Sequence, residues 1–293
     1  MKVLVLANCS HPAYVSYLKA THPDWDVRAV VIPQATKWIE DQNAKFIEFI
    51  EGIDIFVGLT DREPMQSRVN PAARRVFLPS FDFNGFHPDT TWLHGVPSPM
   101  EMGVIHSRIG ASAYLSNQSP EQALKLFNID HFTRLGYFDL YEKDEQRIIQ
   151  KFAQSKLDIS ALFQTWVKNG NFLYTPNHPD TRVFFDIIHL GMTQAGFMPD
   201  MPASQIGDLR EMTHNYLAEG CLWPVYPEIA AHFKIAATPS HWRTSAAKGN
   251  AVEFDLEEML RKSWATYDAM PEMHDSMTTM LGGAEQVALY AGI

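Results

Sequence analysis

The 293-residue chain is 46% hydrophobic, enough to bury the core of one large domain or two modest ones. Its 34 acidic against 24 basic residues leave a formal charge of −10, which argues against a general binder of nucleic acid or anionic membrane. No apolar run approaches the roughly 18 residues of a membrane span, and the two cysteines, Cys9 and Cys221, form neither a zinc knuckle nor a disulfide framework, so a soluble protein of the reducing cytoplasm is expected.

The first ninety residues alternate apolar β-rich runs with helical patterns, the signature of a parallel sheet with crossover helices. "KVLVLAN", "DVRAVVIP", "DIFVGL" and "RRVFLPSF" read as four strands. Between the second and third, "ATKWIEDQNAKFIEFIEG" spaces Trp38, Ile39, Phe46, Ile47 and Ile50 as one helix closed by Gly52. Val3 to Ala7 is too short for the roughly 7–15-residue apolar core of a signal peptide. Beyond residue 100 the pattern turns helical. "SPEQALKLFN" opens with a capping-type Ser119-Pro120-Glu121, and "EKDEQRIIQKFAQ", "ISALFQTWVKN", "TRVFFDIIHLGMTQAGF", "LREMTHNYLAEG" and "DLEEMLRKSWATYDAM" continue it. The expected fold is α/β: a Rossmann-like parallel sheet over residues 1–100, with a mostly helical extension over 101–293 packed against it as one compact unit.

In an open parallel sheet, ligands collect beyond the carboxyl ends of the strands, beside the amino ends of the following helices. Asn8, Cys9 and Ser10 fall there. Cys9 reads two ways: as a nucleophile, or as the small buried hydrophobe that a lone cysteine usually is. A helix terminus contributes only ~0.3–1 kcal/mol, so an activated Cys9 also needs a base. Candidate bases come from His-Pro-Asp, which occurs three times, at His22, His87 and His178. His22 falls at the sheet end opposite Cys9 and reads as structural. His87 follows the fourth strand, at the same sheet edge as Cys9, and His178 lies where an extended run meets a helix start, as cap or as ligand. HExxH, GxGxxG, Walker and GxSxG motifs are absent, and no metal is expected.

"ANCS", "LPSFDFNGFHPDTTWL", "SPEQALKLFNIDHFTRLGYFD", "NFLYTPNHPDTRVFFDII" and "WPVYPEIAAHFKI" stand in this order from Ala7 to Ile235, and in that order they resemble the WcbI-type polysaccharide-biosynthesis family. The resemblance implies binding of coenzyme A and O-acetylation of capsular polysaccharide sugars. Its Gly-Asn-Cys-Gln turn matches Ala7-Asn8-Cys9-Ser10, its His-Pro-Asp matches His87-Pro88-Asp89, and its Asn-His-Pro matches Asn177-His178-Pro179. Ala7 and Ser10 depart from the family pattern.

The expected activity is therefore an O-acetyltransferase that uses acetyl-coenzyme A as co-substrate and a sugar or polysaccharide hydroxyl as acceptor. Cys9 and His87 are the expected catalytic pair, with Asn8, Ser10, Asp89, Asn177 and His178 binding coenzyme or sugar. Arg74, Arg75, Arg108 and Arg182 are available to the coenzyme phosphates. The rivals are a Cys/His esterase or deacylase with water as acceptor, and a non-catalytic coenzyme A or sugar binder.

Overall fold

A computed structural model describes residues 1–59, 65–99, 103–236, 239–245 and 249–293. They form two compact units, each assembled from separate stretches of chain: 1–81, 148–169 and 179–215 in the first, 82–147, 170–178 and 216–293 in the second. Both units draw on chain before and after residue 100, and the first includes helices from far along the chain.

In the first unit, β1 (Lys2–Ala7) leads through α1 (His11–Thr21) to β2 (Asp26–Val31), then through α2 (Ile32–Glu40) and α3 (Ala44–Glu51) to β3 (Ile55–Gly58), and through α4 (Met65–Arg68) to β4 (Arg74–Phe77). All four expected strands are present. They pair in parallel in the order β2-β1-β3-β4, with Lys2 opposite Asp26, Val3 opposite Ile55 and Ile55 opposite Arg74. Val3 to Ala7 are buried, so β1 is covered on both faces and reads as an unbroken apolar run. Leu4 and Leu6 pack with Ile39, Phe46, Phe49 and Ile50 of α2 and α3. Successive strand side chains alternate, which turns Val3 and Val5 to the opposite face.

Against β4 and α1 packs a helix from much later in the chain, Thr181–Gln194. Tyr14 and Tyr17 of α1 meet Phe184 and Phe185 edge to face, at centroid separations of 5.9 and 5.1 Å. A Cβ at Gly191 would lie 2.4 Å from Leu78 Cδ2, so the close approach of this helix to the sheet needs glycine there. The helices Ser160–Lys168 and Ala203–Glu211 are tied to it through Asp186, which accepts the Trp166 indole N–H at 2.7 Å and a two-pronged Arg210 guanidinium at 2.6 and 2.8 Å.

The single helix expected over 35–52 is two. Gln42 adopts φ 53°, and Asn43 caps α3 by accepting the Phe46 N–H at 3.1 Å. A left-handed residue costs about 1–2 kcal/mol. Burying Phe46, Phe49 and Ile50 returns about 1.5–3 kcal/mol each and the cap about 1, so the break is favourable. Ser119 and Gln122 form the reciprocal capping box that the sequence signals.

In the second unit, β5 (Thr90–Trp92) and β6 (Ile105–Ser107) pair antiparallel, Thr91 opposite His106, and β6 runs directly into α5 (Arg108–Leu115). Leu93, Val96 and Ala111 meet Tyr267, Met277, Leu281 and Val287 from the C-terminal helices in one apolar cluster. The N-terminal part is thus parallel α/β and the rest of the chain mostly helical, as its sequence implies. Among the described residues no helix is long and apolar enough to cross a membrane.

Candidate functional site

From β1 the chain passes to β2 on one side, then crosses over to β3 on the other, so the strand order reverses between β1 and β3. The carboxyl edge at that reversal is where open α/β sheets hold ligands. Asn8–Cys9–Ser10 occupies it on the β1 side. Asn8 Oδ1 accepts the Ser10 N–H at 3.1 Å and the Ser10 hydroxyl at 3.0 Å, while its carbonyl accepts the His11 N–H at 3.2 Å and His11 Nδ1–H at 2.8 Å. Asn8 is exposed, Cys9 half-buried, and Ser10 buried with its hydroxyl used inside the turn. Ser10 therefore shapes the turn rather than presenting a hydroxyl. No side chain caps α1, and Pro12 sits in its first turn without an N–H to donate. Burial pushes the Cys9 thiol up to about 11. A nucleophilic role for Cys9 would therefore need a base to take the thiol proton.

His87, Asp89, Asn177 and His178 belong to the second unit. His87 is 1% exposed and donates Nε2–H to the Trp223 carbonyl at 2.9 Å, leaving Nδ1 buried without a partner. Burial holds it neutral, with its pKa lowered to about 4. Asp89 is fully enclosed. Its carboxyl accepts Ser107 Oγ–H at 2.5 Å, Ile109 N–H at 2.9 Å, Tyr137 Oη–H at 2.9 Å and Tyr226 Oη–H at 2.7 Å. Burial raises its pKa against the lowering effect of these donors. With all four directions taken internally, Asp89 holds the start of α5 and two tyrosines in place, and it neither reaches out to a sugar nor bonds to the His87 ring.

His178 is half-buried, and burial lowers its pKa to about 4. Its Nδ1 lies 3.1 Å from Thr175 Oγ1, which donates to Asn177 Oδ1 at 3.0 Å. The sequence reading missed Thr175, and the only local signal was its position three residues before the histidine. It missed Tyr137 and Tyr226 too, which no local pattern connects to Asp89.

Of the arginines available to the coenzyme phosphates, three have partners within the protein. Arg74 lies over the Phe197 ring at 3.8 Å and donates to the Ala195 carbonyl. Arg108 donates to the Thr90 carbonyl at 3.2 Å, and Arg182 is clamped by Asp180 and Glu211. His22, stacked on Trp25 at 3.8 Å, closes α1 at the far end of the sheet from Cys9. Among the described residues no group of three or more histidine, cysteine, aspartate or glutamate side chains is placed to hold a metal ion.

Comparison with solved structures finds a similar chain, WcbI, described as a novel polysaccharide biosynthesis enzyme and as the native protein without a disulfide bond between coenzyme A and one of its cysteines. The two are 14% identical, with a TM-score of 0.73 over 99% of this chain and 98% of that one, a likeness of fold. No curated protein matches. The family model for the polysaccharide biosynthesis enzyme WcbI matches residues 2–199, which takes in the parallel sheet, the β1–α1 turn and all three His-Pro-Asp segments, and on that match the chain belongs to the WcbI family of polysaccharide biosynthesis enzymes.

Proposed function

We propose that the protein is an acyl-coenzyme A-dependent O-acetyltransferase that acts on a sugar hydroxyl in surface or capsular polysaccharide synthesis. The observation that carries the reading is the polar Asn8–Cys9–Ser10 turn at the strand-order reversal, ahead of a helix with no side-chain cap. Such an edge suits a ligand rich in anionic groups and carbonyl oxygens. Family membership supports the polysaccharide, and the WcbI structure, described by its coenzyme A, supports the donor.

In the reaction the sugar hydroxyl attacks the thioester carbonyl and gives its proton to a neutral imidazole. The tetrahedral oxyanion is met by N–H donors, for which exposed Asn8 and the backbone of its turn are suited. Collapse breaks the carbon–sulfur bond, and the departing coenzyme thiolate recovers the proton. With its thiol pushed up to about 11, Cys9 fits the wall of the donor site in a direct transfer better than an acetyl-enzyme intermediate.

Acetyl-coenzyme A incubated with the protein should release thiol only when a sugar acceptor is added. Coenzyme A at about 100 times its dissociation constant should stabilise the fold by ~2.7 kcal/mol in a thermal scan. Thiol release without acceptor would make the protein a hydrolase, and no thermal shift with either coenzyme A or its acetyl ester would remove the coenzyme from the reading.

A further inference from the structure

We infer that the second unit carries a saccharide-holding pocket of its own, lined by Phe127, Tyr226 and Trp242 together with Glu228 and Asp255, which takes a neutral sugar unit of the acceptor; the inference rests on the polysaccharide part of the functional reading. All five residues lie within that unit, around a cavity of about 380 Å³. Small-molecule sites span about 300–1,000 Å³, so the space suits a sugar unit rather than a folded partner. A small sheet holds the pocket in shape. Trp242 stands opposite Phe254 in an antiparallel pair, and Leu222 and Arg243 exchange backbone hydrogen bonds at 2.9 and 3.2 Å. The residue after Phe254 is Asp255, the N-cap of the helix Leu256–Asp268.

The aromatic residues are fixed before any ligand arrives. Tyr226 meets Phe127 edge to face at 5.4 Å and lies 6.0 Å from Trp242, and its hydroxyl donates to buried Asp89 at 2.7 Å. A pyranose has apolar C–H faces that pack on aromatic rings and a rim of hydroxyls that need acceptors. The carboxylates supply those acceptors. Glu228 is half-buried and makes no hydrogen bond or ion pair among the described residues. Asp255 spends one oxygen on the Glu258 N–H at 2.9 Å, and the other has no partner among the described residues. An ionised acceptor holds a hydroxyl about twice as strongly as a neutral one. Charge also decides what is excluded. Against two carboxylates the described lining residues offer no lysine or arginine and only His241, so the pocket disfavours the phosphates of coenzyme A and is not the donor's.

The test is saturation-transfer NMR on the full chain at pH 8 without coenzyme A. The neutral probes are the methyl glycosides of glucose, galactose and mannose and N-acetylglucosamine; glucuronic acid and tetramethylammonium are the charged ones. At least one neutral probe should bind, and glucuronic acid should bind about 10-fold more weakly or worse. Glu228→Gln, at a side chain that no partner in the protein holds, should weaken the neutral probe about 10-fold and narrow the gap to glucuronic acid. Asp255→Asn keeps the helix cap and should act in the same direction. Failure of every neutral probe to bind would overturn the pocket. So would neutral binding unchanged in both variants, or tetramethylammonium held more tightly than any glycoside, which would mark a cation site. If glycosides bind through these residues but no acceptor is acetylated, the acyltransferase reading fails and the pocket stands. If acetyl transfer is found while both variants bind glycosides as the wild type does, the pocket fails and the transfer stands.

Discussion

Replacing Asp89 by alanine removes one acceptor group from four buried donors: the hydroxyls of Ser107, Tyr137 and Tyr226 and the Ile109 N–H. A buried donor left unsatisfied costs about 1–3 kcal/mol, so the gross loss is about 4–12 kcal/mol. Two effects reduce it. The carboxyl is itself costly to bury, as its raised pKa shows, and its removal returns that cost. The Ser107 hydroxyl and the tyrosines also have some freedom to turn towards water admitted by the smaller side chain. A net loss of about 4 kcal/mol remains, against a total stability of about 5–15 kcal/mol for a domain. Asp89→Asn keeps one carbonyl acceptor and turns an amide NH₂ towards the other donors, so its loss should be about half. Tyr226→Phe removes one donor from an acceptor that keeps three others and should cost about 1 kcal/mol. Urea unfolding followed by tryptophan fluorescence reads the second unit through Trp223, Trp242 and Trp264. An alanine variant within about 1 kcal/mol of the wild type, or an asparagine variant that is the worse of the two, would refute the view that Asp89 organises this unit.

Acid quenching of a mixture of protein and acetyl-coenzyme A without acceptor should give unmodified protein by mass spectrometry, because Cys9 rests as a thiol with its pKa near 11; an acetyl group on Cys9 would restore the covalent route. Stability should also fall on mild acidification. His87 and His106 are buried with folded-state pKa values of about 4, below the unfolded value of about 6.5. Their contribution is thus complete above pH ~6.5 and is lost as pH falls towards 4, at up to about 1.4 kcal/mol per pH unit for each ring. Asp89, its pKa raised, acts with the opposite sign. Urea midpoints at pH 6 and pH 5, above the range where ordinary carboxylates titrate, should show a steep drop, and a flat profile would mean that these rings ionise in place.

β1 and β3 could be read from the sequence because a strand covered on both faces needs an unbroken apolar run, and they have no exposed side chain between Val3 and Ala7 or between Ile55 and Gly58; β2 and β4, largely exposed, showed through their β-branched and aromatic residues instead. The break between α2 and α3 was less legible, since it depends on one non-glycine residue, Gln42, taking a left-handed conformation so that Asn43 can cap. The helix read over 209–220 fails for a different reason. The chain leaves the helix after Glu211, and Asn215 is bonded to both Asp180 and Thr181, a tertiary contact that outweighs local preference. Amphipathic spacing in Thr181–Gln194 marks an apolar face but does not name the sheet it covers.

The site tests the same limit more sharply, because one tripeptide occurs three times with three outcomes. At His22 the ring stacks on Trp25 and Asp24 is left exposed. At His87 the ring supports the Trp223 backbone, and Asp89 disappears into a shell of four donors. At His178 the ring meets Thr175, and Asp180 caps the next helix while clamping Arg182. Residue type and spacing brought all three histidines forward, with His87 as the catalytic candidate, His178 as cap or ligand and His22 as structural, but could not give the partners of any of them. What separates them is the company each ring keeps: His22 bonds to its neighbour Thr21 and lies on Trp25, whereas His87 and Asp89 are enclosed by residues distant in sequence. The same tripeptide is therefore a helix end in one place, a buried clamp in another and a half-buried turn in the third, because burial and partners come from tertiary packing that spacing does not encode.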